Sequence, residues 1–334
     1  MTTASTVLIL GARGRFGQAA AQAFARAGWR VLGQVRPGAQ GPALAGVHWL
    51  TLDPTNTAAL AAAARGAAVV VNALNPVYTH KAWRAEAPAL LEAAIRLSQV
   101  LGATLMMPGN VYNFGESMPP LLREDTAQAA LGVKGRIRIA MEQRLQAATQ
   151  DGSLRAVVIR AGDFFGSGTG AWLDQAVAKD LARGRVTWPG PLDAGTPWAY
   201  LPDLARTFVK VAQQRSRLDA FARLHFAGHT VTGQQWVDAL ASVAWEQGWL
   251  PRSGALRVST MPWPLLQVAG LFIPTFAALA EMRYLWRTPH QLDNRALCAL
   301  IGDEPRTPFD DAVRQSLNDL GLLPHPAPTT LAAT

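Results

Sequence analysis

The sequence predicts an α/β fold in which a doubly wound parallel sheet is followed by a smaller C-terminal lobe. In the first half, short apolar runs alternate with alanine-rich stretches, which is the order of successive βαβ units. The runs are continuously apolar, as is typical of parallel strands that are buried on both faces. We predict strands at 6–10, 30–35, 48–51, 68–72, 104–107 and 156–159, with helices at about 17–27, 57–65, 88–101 and 133–149.

The alternation stops after Arg160, where loops rich in glycine and proline, helices and isolated strands such as 223–226 follow. We therefore expect a second, smaller lobe to begin near this point. The predicted domains are a sheet core at 1–165, to which 198–228 returns, a lobe made of 166–197 and 229–322, and a flexible tail at 323–334.

Composition narrows the class of protein. The formal charge is +8, but the arginines are spread along the chain, so we do not expect nucleic acid as a partner. Cys298 is the only cysteine, which excludes an intrachain disulfide and a cysteine metal cluster, and we expect no metal site. The first apolar run ends at Gly11, too early for a signal-peptide core, and a cytoplasmic protein is the expectation.

The segment 263–280 is almost wholly apolar but is interrupted by Pro264, Gly270 and Pro274. It is marginal in length for a membrane span, and its prolines disfavour one. We expect it to pack in a core, a substrate pocket or a subunit interface rather than in a membrane. A homodimer is one alternative for the oligomeric state.

A glycine-rich turn, GARGRFG at 11–17, lies between the first predicted strand and an alanine-rich helix. Gly11 permits the tight turn, Gly14 lets the backbone approach a pyrophosphate, and Gly17 lets the helix pack close to the strand. The helix N-terminus adds amide donors and positive dipole. The turn therefore predicts a dinucleotide site in a Rossmann-type core, and the expected contacts come from Gly11, Arg13, Gly14, Arg15, Phe16 and Gly17.

The Gly-x-x-Gly-x-x-Gly spacing resembles the short-chain dehydrogenase/reductase superfamily, especially its extended, epimerase/dehydratase-like branch. Further matches over about 6–322 occur in the family's order: VVVNALN at 69–75, Val-Tyr at 111–112, RAGDFFG at 160–166 and YLPDLA at 200–205. The resemblance implies that Asp53 lies near the adenine. It also implies that the end of the fourth strand lines the cofactor through Ala73, Leu74 and Asn75.

Arg36 follows the second strand, where an NAD-preferring site would usually carry Asp or Glu. The arginine could pair with a 2′-phosphate, and Arg13 could add to that charge. The alternative is that Arg36 is a solvated loop residue. We therefore expect NADP as the cofactor, with NAD as the alternative.

The family's catalytic Ser, Tyr and Lys are absent at the aligned positions, which hold Pro108, Lys134 and Arg138. Neither Pro108 nor Arg138 can shuttle a proton near neutral pH. Arg138 could still hydrogen-bond the nicotinamide ribose. Lys134, one helical turn away on the same face, would project toward the substrate, either as a proton donor of lowered pKa or as part of a clamp for an anionic group.

Three other residues are candidates for the cleft. Tyr112 could replace the missing hydroxyl, or it could pack beside the cofactor. Asp163 lies in a glycine-rich loop where related enzymes contact substrate, or it caps that loop. Tyr78 follows the cofactor-lining strand and could face the same cleft.

The sequence predicts an NADP(H)-dependent oxidoreductase or epimerase-like enzyme. Its small or medium organic substrate would lie between the sheet core and the C-terminal lobe. The second hypothesis is a redox-silent dinucleotide-binding or sensor protein of the same superfamily, which the missing catalytic set favours. A third, polyanion binding, would require salt-dependent affinity for nucleic acid.

Overall fold

The computed structural model describes residues 4–250 and 254–323. In chain order the strands are β1 (Thr6–Leu10), β2 (Arg30–Val35), β3 (Val47–Thr51), β4 (Ala67–Asn72), β5 (Thr104–Gly109), β6 (Leu121–Leu122), β7 (Arg155–Arg160), β8 (Asp163–Phe165), β9 (Arg185–Trp188), β10 (Thr196–Tyr200), β11 (Phe221–His225), β12 (His229–Val231), β13 (Arg257–Thr260) and β14 (Gln291–Leu292). The α-helices are α1 (Arg15–Arg26), α2 (Thr57–Ala63), α3 (His80–Leu101), α4 (Val133–Ala148), α5 (Leu201–Gln213), α6 (Gly233–Glu246), α7 (Trp263–Ala269), α8 (Pro274–Ala280), α9 (Arg295–Ile301) and α10 (Phe309–Asp319).

The main sheet has seven parallel strands in the order β11-β7-β5-β4-β1-β2-β3. This is the predicted doubly wound Rossmann-type arrangement, with the strand order reversing on either side of β1 and β4. Three smaller sheets, β12-β10-β8, β13-β9 and β14-β6, form outside it. The carboxyl ends of β1, β4 and β5 meet at one edge, which is where ligands bind in such sheets.

Apolar side chains cover both faces of the main sheet, as the continuous apolar runs predict. Val7 and Ile9 of β1 belong to the core under α1 and α5, whereas Leu8 and Leu10 belong to the core under α3 and α4. Helices α1 and α5 meet through Phe16 and Phe208, whose ring centroids are 4.8 Å apart. Alternate residues of one strand thus fix two helical layers.

The helix predicted at 88–101 begins earlier, at His80, so that predicted boundary is wrong. The Thr79 hydroxyl accepts a hydrogen bond from the amide of Ala82 at 3.2 Å and caps the helix. Pro88 lies inside α3 rather than at its first turn. The helix therefore tolerates a proline within its length, because tertiary packing stabilises it on both sides of that residue.

A buried ion pair fixes α4 on the sheet. Arg160, at the end of β7, is fully buried, and its Nε donates to Oε1 of Glu142 at 3.0 Å. The Asn113 side-chain amide donates to the same oxygen at 3.0 Å. Because Glu142 lies on α4, this network ties that helix to the end of β7.

We expect Glu142→Ala to lower the free energy of unfolding by about 3–5 kcal/mol, since it leaves the Arg160 guanidinium buried without its carboxylate. The matched control is Glu92→Ala, because Glu92 of α3 forms a surface ion pair with Arg144 of α4. That change should cost no more than about 1 kcal/mol. Equal losses in chemical denaturation would contradict a stabilising role for the buried pair.

The apolar segment 263–280 folds as α7 and α8 joined by a short turn. Trp263 and Ala278 are buried, but five other apolar side chains are exposed: Leu265, Val268, Leu271, Phe272 and Ile273. The core and pocket interpretations are therefore wrong for these five. In the part of the chain that the structure describes, no helix has the length and apolar character needed to cross a membrane.

Candidate functional site

The glycine turn lies between β1 and α1, and two of its glycines are required by close packing. Gly11 has a φ of +70°, and a Cβ there would lie 3.1 Å from the Ala73 backbone. A Cβ on Gly17 would lie 2.7 Å from Cα of Ala12 and would meet the Gly11 carbonyl. At Gly14 the nearest atom would be that carbonyl at 3.3 Å, so the free side of Gly14 faces outward from the fold.

The N-terminus of α1 is open to an anion. Gly14 is its N-cap and supplies no side-chain cap, and the first intrahelical bond from this end runs from the Gln18 amide to the Gly14 carbonyl at 2.8 Å. The amides of Arg15, Phe16 and Gly17 belong to the first turn, where helix geometry provides no backbone acceptor. With the helix dipole, they form an anion-binding end of the helix.

Gln34 fixes the turn and was not found by sequence reasoning. Its buried side-chain oxygen accepts from the Gly11 amide at 2.9 Å, and its nitrogen donates to the Leu52 carbonyl at 2.6 Å. The available signal was a polar residue inside the otherwise apolar strand β2. The side chain links the glycine turn to the chain that follows β3.

The other residues predicted in and near the turn differ in their surroundings. The Arg15 guanidinium donates to the Gly166 carbonyl at 2.8 Å and ties the turn to the loop after β8, and burial lowers its pKa. Arg13 and Arg36 are exposed. Asp53 is also exposed, and its Oδ1 accepts from the Thr55 amide at 2.8 Å as part of a local turn.

The end of β4 and helix α4 share a small cavity. Its lining includes Leu74, Asn75, Trp83 and Arg138, so two parts of the predicted cofactor set meet there. The Ala73 amide holds the strand end by donating to the Leu10 carbonyl at 3.0 Å.

Arg138 presents an incompletely paired guanidinium to this region. Its Cζ lies 5.1 Å from the centre of the Trp83 ring. Within residues 4–250 and 254–323, its buried Nε has no hydrogen-bond partner. Burial lowers the pKa of Arg138, an effect that the nearby Tyr112, Glu142 and Tyr78 oppose. A buried cation with a free donor suits an oxygen-rich ligand group.

Lys134 lies in the first turn of α4 and is fully buried. Its Nζ donates to the Ala278 carbonyl at 2.8 Å and lies 3.6 Å from the centre of the Tyr78 ring. Its amide donates to Oε1 of Glu281 at 3.2 Å. Burial lowers the pKa of Lys134 to about 8, and the charge of Glu281 acts in the opposite direction.

Two tyrosines lie beside this lysine. The hydroxyls of Tyr78 and Tyr112 are 3.4 Å apart. Burial raises the pKa of Tyr112 to about 12, and the charge of Asp163 contributes to this rise. Burial and the Tyr112 neighbour likewise raise the pKa of Tyr78.

Asp163 begins β8 and acts electrostatically on both tyrosines and on Tyr284. Burial raises the pKa of its carboxyl to about 7. Of the three predicted catalytic candidates, Lys134 and Tyr112 are thus linked through Tyr78, and Asp163 lies within electrostatic range of both tyrosines. We call this group of four the Lys134 cluster.

Glu281 contacts the Lys134 cluster from the C-terminal lobe, and no local motif in the sequence predicts this contact. Besides the Lys134 amide it contacts His80, the first residue of α3, as an ion pair when that histidine is protonated. At the aligned serine position, Pro108 lies within β5 opposite Ile159 and offers no hydroxyl.

Comparison with solved structures identifies the fold. The chain matches the UDP-Glc/GlcNAc 4-epimerase from Campylobacter jejuni with a TM-score of 0.70 at 13% identity, covering 94% of this chain and 98% of that one. It matches the UDP-glucose 4-epimerase from Brucella ovis, solved with NAD, with a TM-score of 0.70 at 13% identity over 94% and 97% of the two chains. The WbmH enzyme of Bordetella bronchiseptica, solved with NAD+, gives a TM-score of 0.69 at 16% identity over 95% and 98%.

At these identities the structural likeness concerns the fold alone. No curated protein sequence matches the chain significantly. The profile of the NAD dependent epimerase/dehydratase family matches residues 7–221, which is most of the chain. The matched range includes the glycine turn, the end of β4 and all four residues of the Lys134 cluster. The chain belongs to the NAD-dependent epimerase/dehydratase family.

Proposed function

We propose that the protein is an NADP(H)-dependent oxidoreductase or epimerase-like enzyme that acts on a small or medium organic substrate. The observation that carries the proposal is the Lys134 cluster, in which Tyr78, Tyr112 and Asp163 follow β4, β5 and β7 in the chain. Burial lowers the pKa of Lys134 to about 8 and raises the pKa of Asp163 to about 7. In this proposal residues 1–165, with 198–228, form the dinucleotide-binding core, and 166–197 with 229–322 form the substrate lobe.

The glycine turn fits a pyrophosphate. The first-turn amides of α1 and the outward side of Gly14 supply donors and space, and Arg13 adds positive charge from an exposed position. Arg15 keeps the neighbouring loop after β8 in place. When bound, the nicotinamide ring would accept or supply a hydride.

Other parts of the predicted set would hold the rest of the dinucleotide. We assign the adenosine end to Asp53 and Arg36, the strand end to Ala73, Leu74 and Asn75, and the nicotinamide ribose to Arg138. Two observations support this last assignment: Arg138 lines the cavity beside β4, and its buried Nε has no hydrogen-bond partner among the described residues. Burial of the guanidinium strengthens each hydrogen bond that it makes there.

Arg36 decides the choice between NADP and NAD in this proposal. We expect Arg36→Asp to weaken NADPH binding about ten- to hundredfold and to shift preference toward NADH, since it removes a charge-assisted bond and introduces a repelling carboxylate. Isothermal titration calorimetry with both cofactors measures this.

Arg30→Asp is the matched control for Arg36→Asp. Arg30 is an exposed arginine at the opposite, amino end of the same strand. The control should keep the wild-type preference. A wild-type protein that already binds NADH more tightly would refute the assignment of Arg36.

Proton transfer is assigned to the groups whose pKa lies near the working pH. General acid–base catalysis is most effective in that range, which favours Lys134 at about 8 and Asp163 at about 7 over Tyr112 at about 12. Tyr112 would then orient the substrate oxygen through its hydroxyl. The alternative role for Lys134 is to hold an anionic substrate group with its charge.

The second candidate function is a redox-silent dinucleotide sensor. The observation favouring it is that the Lys134 amine is already bonded to the Ala278 carbonyl and is enclosed. The two functions are separated by following NADPH absorbance at 340 nm with a panel of aldehydes, ketones and nucleotide sugars. Oxidation of NADPH supports an oxidoreductase, and conversion of a nucleotide sugar to its epimer without net NADPH oxidation supports an epimerase-like enzyme. Tight NADPH binding with neither reaction across the panel supports the sensor.

A further inference from the structure

The turn between α7 and α8 forms an exposed apolar tip on the C-terminal lobe. Leu271 and Phe272 at the turn are 80% and 82% exposed, and Leu265, Val268 and Ile273 continue the same apolar surface. We call these five side chains the apolar tip. Soluble surfaces carry scattered apolar residues, but five within nine positions on one protrusion mark an interaction surface.

The backbone amides of the tip are paired within the segment. Across the turn each amide donates to a carbonyl one helical turn earlier, at 2.8–3.1 Å, from Gly270 to Leu266, Leu271 to Val268, Phe272 to Ala269 and Ile273 to Ala269. In a hydrocarbon environment an unpaired amide costs several kcal/mol, so segments that enter lipid must pair their own backbone. The amides of the apolar tip meet this requirement.

Arginines flank the apolar tip on both sides in the chain. No Asp, Glu, Lys or Arg occurs from 263 to 280. Arg257 and Arg287 are exposed on the elements that flank the helices, and Arg283 lies against Trp263 at the base of α7, 5.7 Å from ring to guanidinium. The nearest carboxylate in sequence, Glu281, is engaged by Lys134 and His80. Within a chain of net charge +8, this arrangement complements an anionic surface.

We propose that the apolar tip docks the protein on an anionic lipid bilayer, with Leu271 and Phe272 inserted at the level of the headgroups and the flanking arginines over the phosphates. The attachment is interfacial rather than spanning, since α7 and α8 have seven residues each. Helix α8 also carries Ala278, whose carbonyl holds Lys134, so the docked surface adjoins the Lys134 cluster.

The test is co-sedimentation of the full chain with vesicles of phosphatidylcholine and phosphatidylglycerol (3:1), compared with phosphatidylcholine alone, at 0.1 M salt. We expect binding to the anionic vesicles, weakened at least tenfold by Leu271→Asp and further by the double variant Leu271→Asp/Phe272→Asp. Val100→Asp is the control, because Val100 is 66% exposed on α3 and lies outside the tip. Thermal melts should be unchanged in all three variants, since the altered side chains are exposed.

Three results would overturn the docking proposal. The first is wild-type protein that stays in the supernatant with anionic vesicles. The second is binding that Leu271→Asp and Val100→Asp reduce equally, or that is as strong on neutral vesicles. The third is a concentration-dependent dimer, seen by light scattering, that the double variant dissociates while lipid binding is absent; the tip would then serve a second copy of the chain.

Discussion

Gly14→Val should abolish measurable binding of NADP(H) while the protein stays folded. The valine side chain would occupy the outward side of the turn, where only the Gly11 carbonyl lies within 4 Å of a new Cβ. It would displace the pyrophosphate from the first-turn amides of α1. Losing two charge-assisted hydrogen bonds of about 1.5–3 kcal/mol each predicts a loss of affinity of at least about 10²-fold.

The folded state should survive this change because Gly14 does not need glycine's conformational freedom. Its φ of −68° and ψ of 161° are accessible to any residue. Gly17→Val is the contrasting variant: its Cβ would meet Cα of Ala12 and the Gly11 carbonyl, so it should destabilise the protein as well as remove binding. Calorimetry with NADPH, together with thermal melts, separates the two effects. Wild-type NADPH affinity in folded Gly14→Val protein would show that the turn has no cofactor role.

The main sheet could be predicted from the sequence because its signals are local. Each strand is a continuous apolar run such as Val69-Val70-Val71 in β4, and the glycine turn follows β1 directly. The start of α3 was missed because Pro88 resembles a first-turn proline, whereas the capping residue, Thr79, lies nine positions earlier. Local signals therefore fix the presence of an element better than its boundary.

The Lys134 cluster shows where sequence reasoning ends. Alignment placed Lys134 and Arg138 on one helix, and adjacent motifs supplied Tyr112 and Asp163. The partners that set the environment of Lys134, however, are Ala278 and Glu281, which are about 145 positions away in the chain. Their approach depends on how the C-terminal lobe packs on α4, and no periodicity or spacing in the sequence encodes that contact.

The sequence predicts that Lys134 projects toward the substrate, and the packing of the C-terminal lobe limits that projection. The side chain is enclosed between the Tyr78 ring and the Ala278 carbonyl. Enclosure lowers its pKa to about 8, so that a substantial neutral fraction exists just above neutral pH. If Lys134 donates a proton, the same burial limits the substrate atoms that it can reach to those near Tyr78.

We expect Lys134→Met to lower kcat by roughly 10²- to 10⁴-fold if Lys134 donates a proton, with NADPH affinity nearly unchanged. If Lys134 only holds an anionic group, the same change should raise KM and leave much of kcat. A redox-silent sensor would show an effect on ligand or cofactor binding alone. The measurements are kcat and KM with a carbonyl substrate that NADPH is found to reduce, together with NADPH binding by calorimetry.

Lys134→Arg provides the control for charge, because arginine stays protonated at every pH that the enzyme tolerates. In wild-type protein, the proton-donor role requires activity in the reductive direction to fall as pH rises through about 8, since the donor form is the protonated amine. This decrease in activity with rising pH should be absent in Lys134→Arg, which should also lose most of its activity. Full activity with an unchanged pH profile in Lys134→Arg would exclude proton donation by Lys134. The proton-donor role would then be assigned to Asp163 or to Tyr112. With a pKa of about 7, Asp163 predicts a fall in activity about one pH unit lower than Lys134 does.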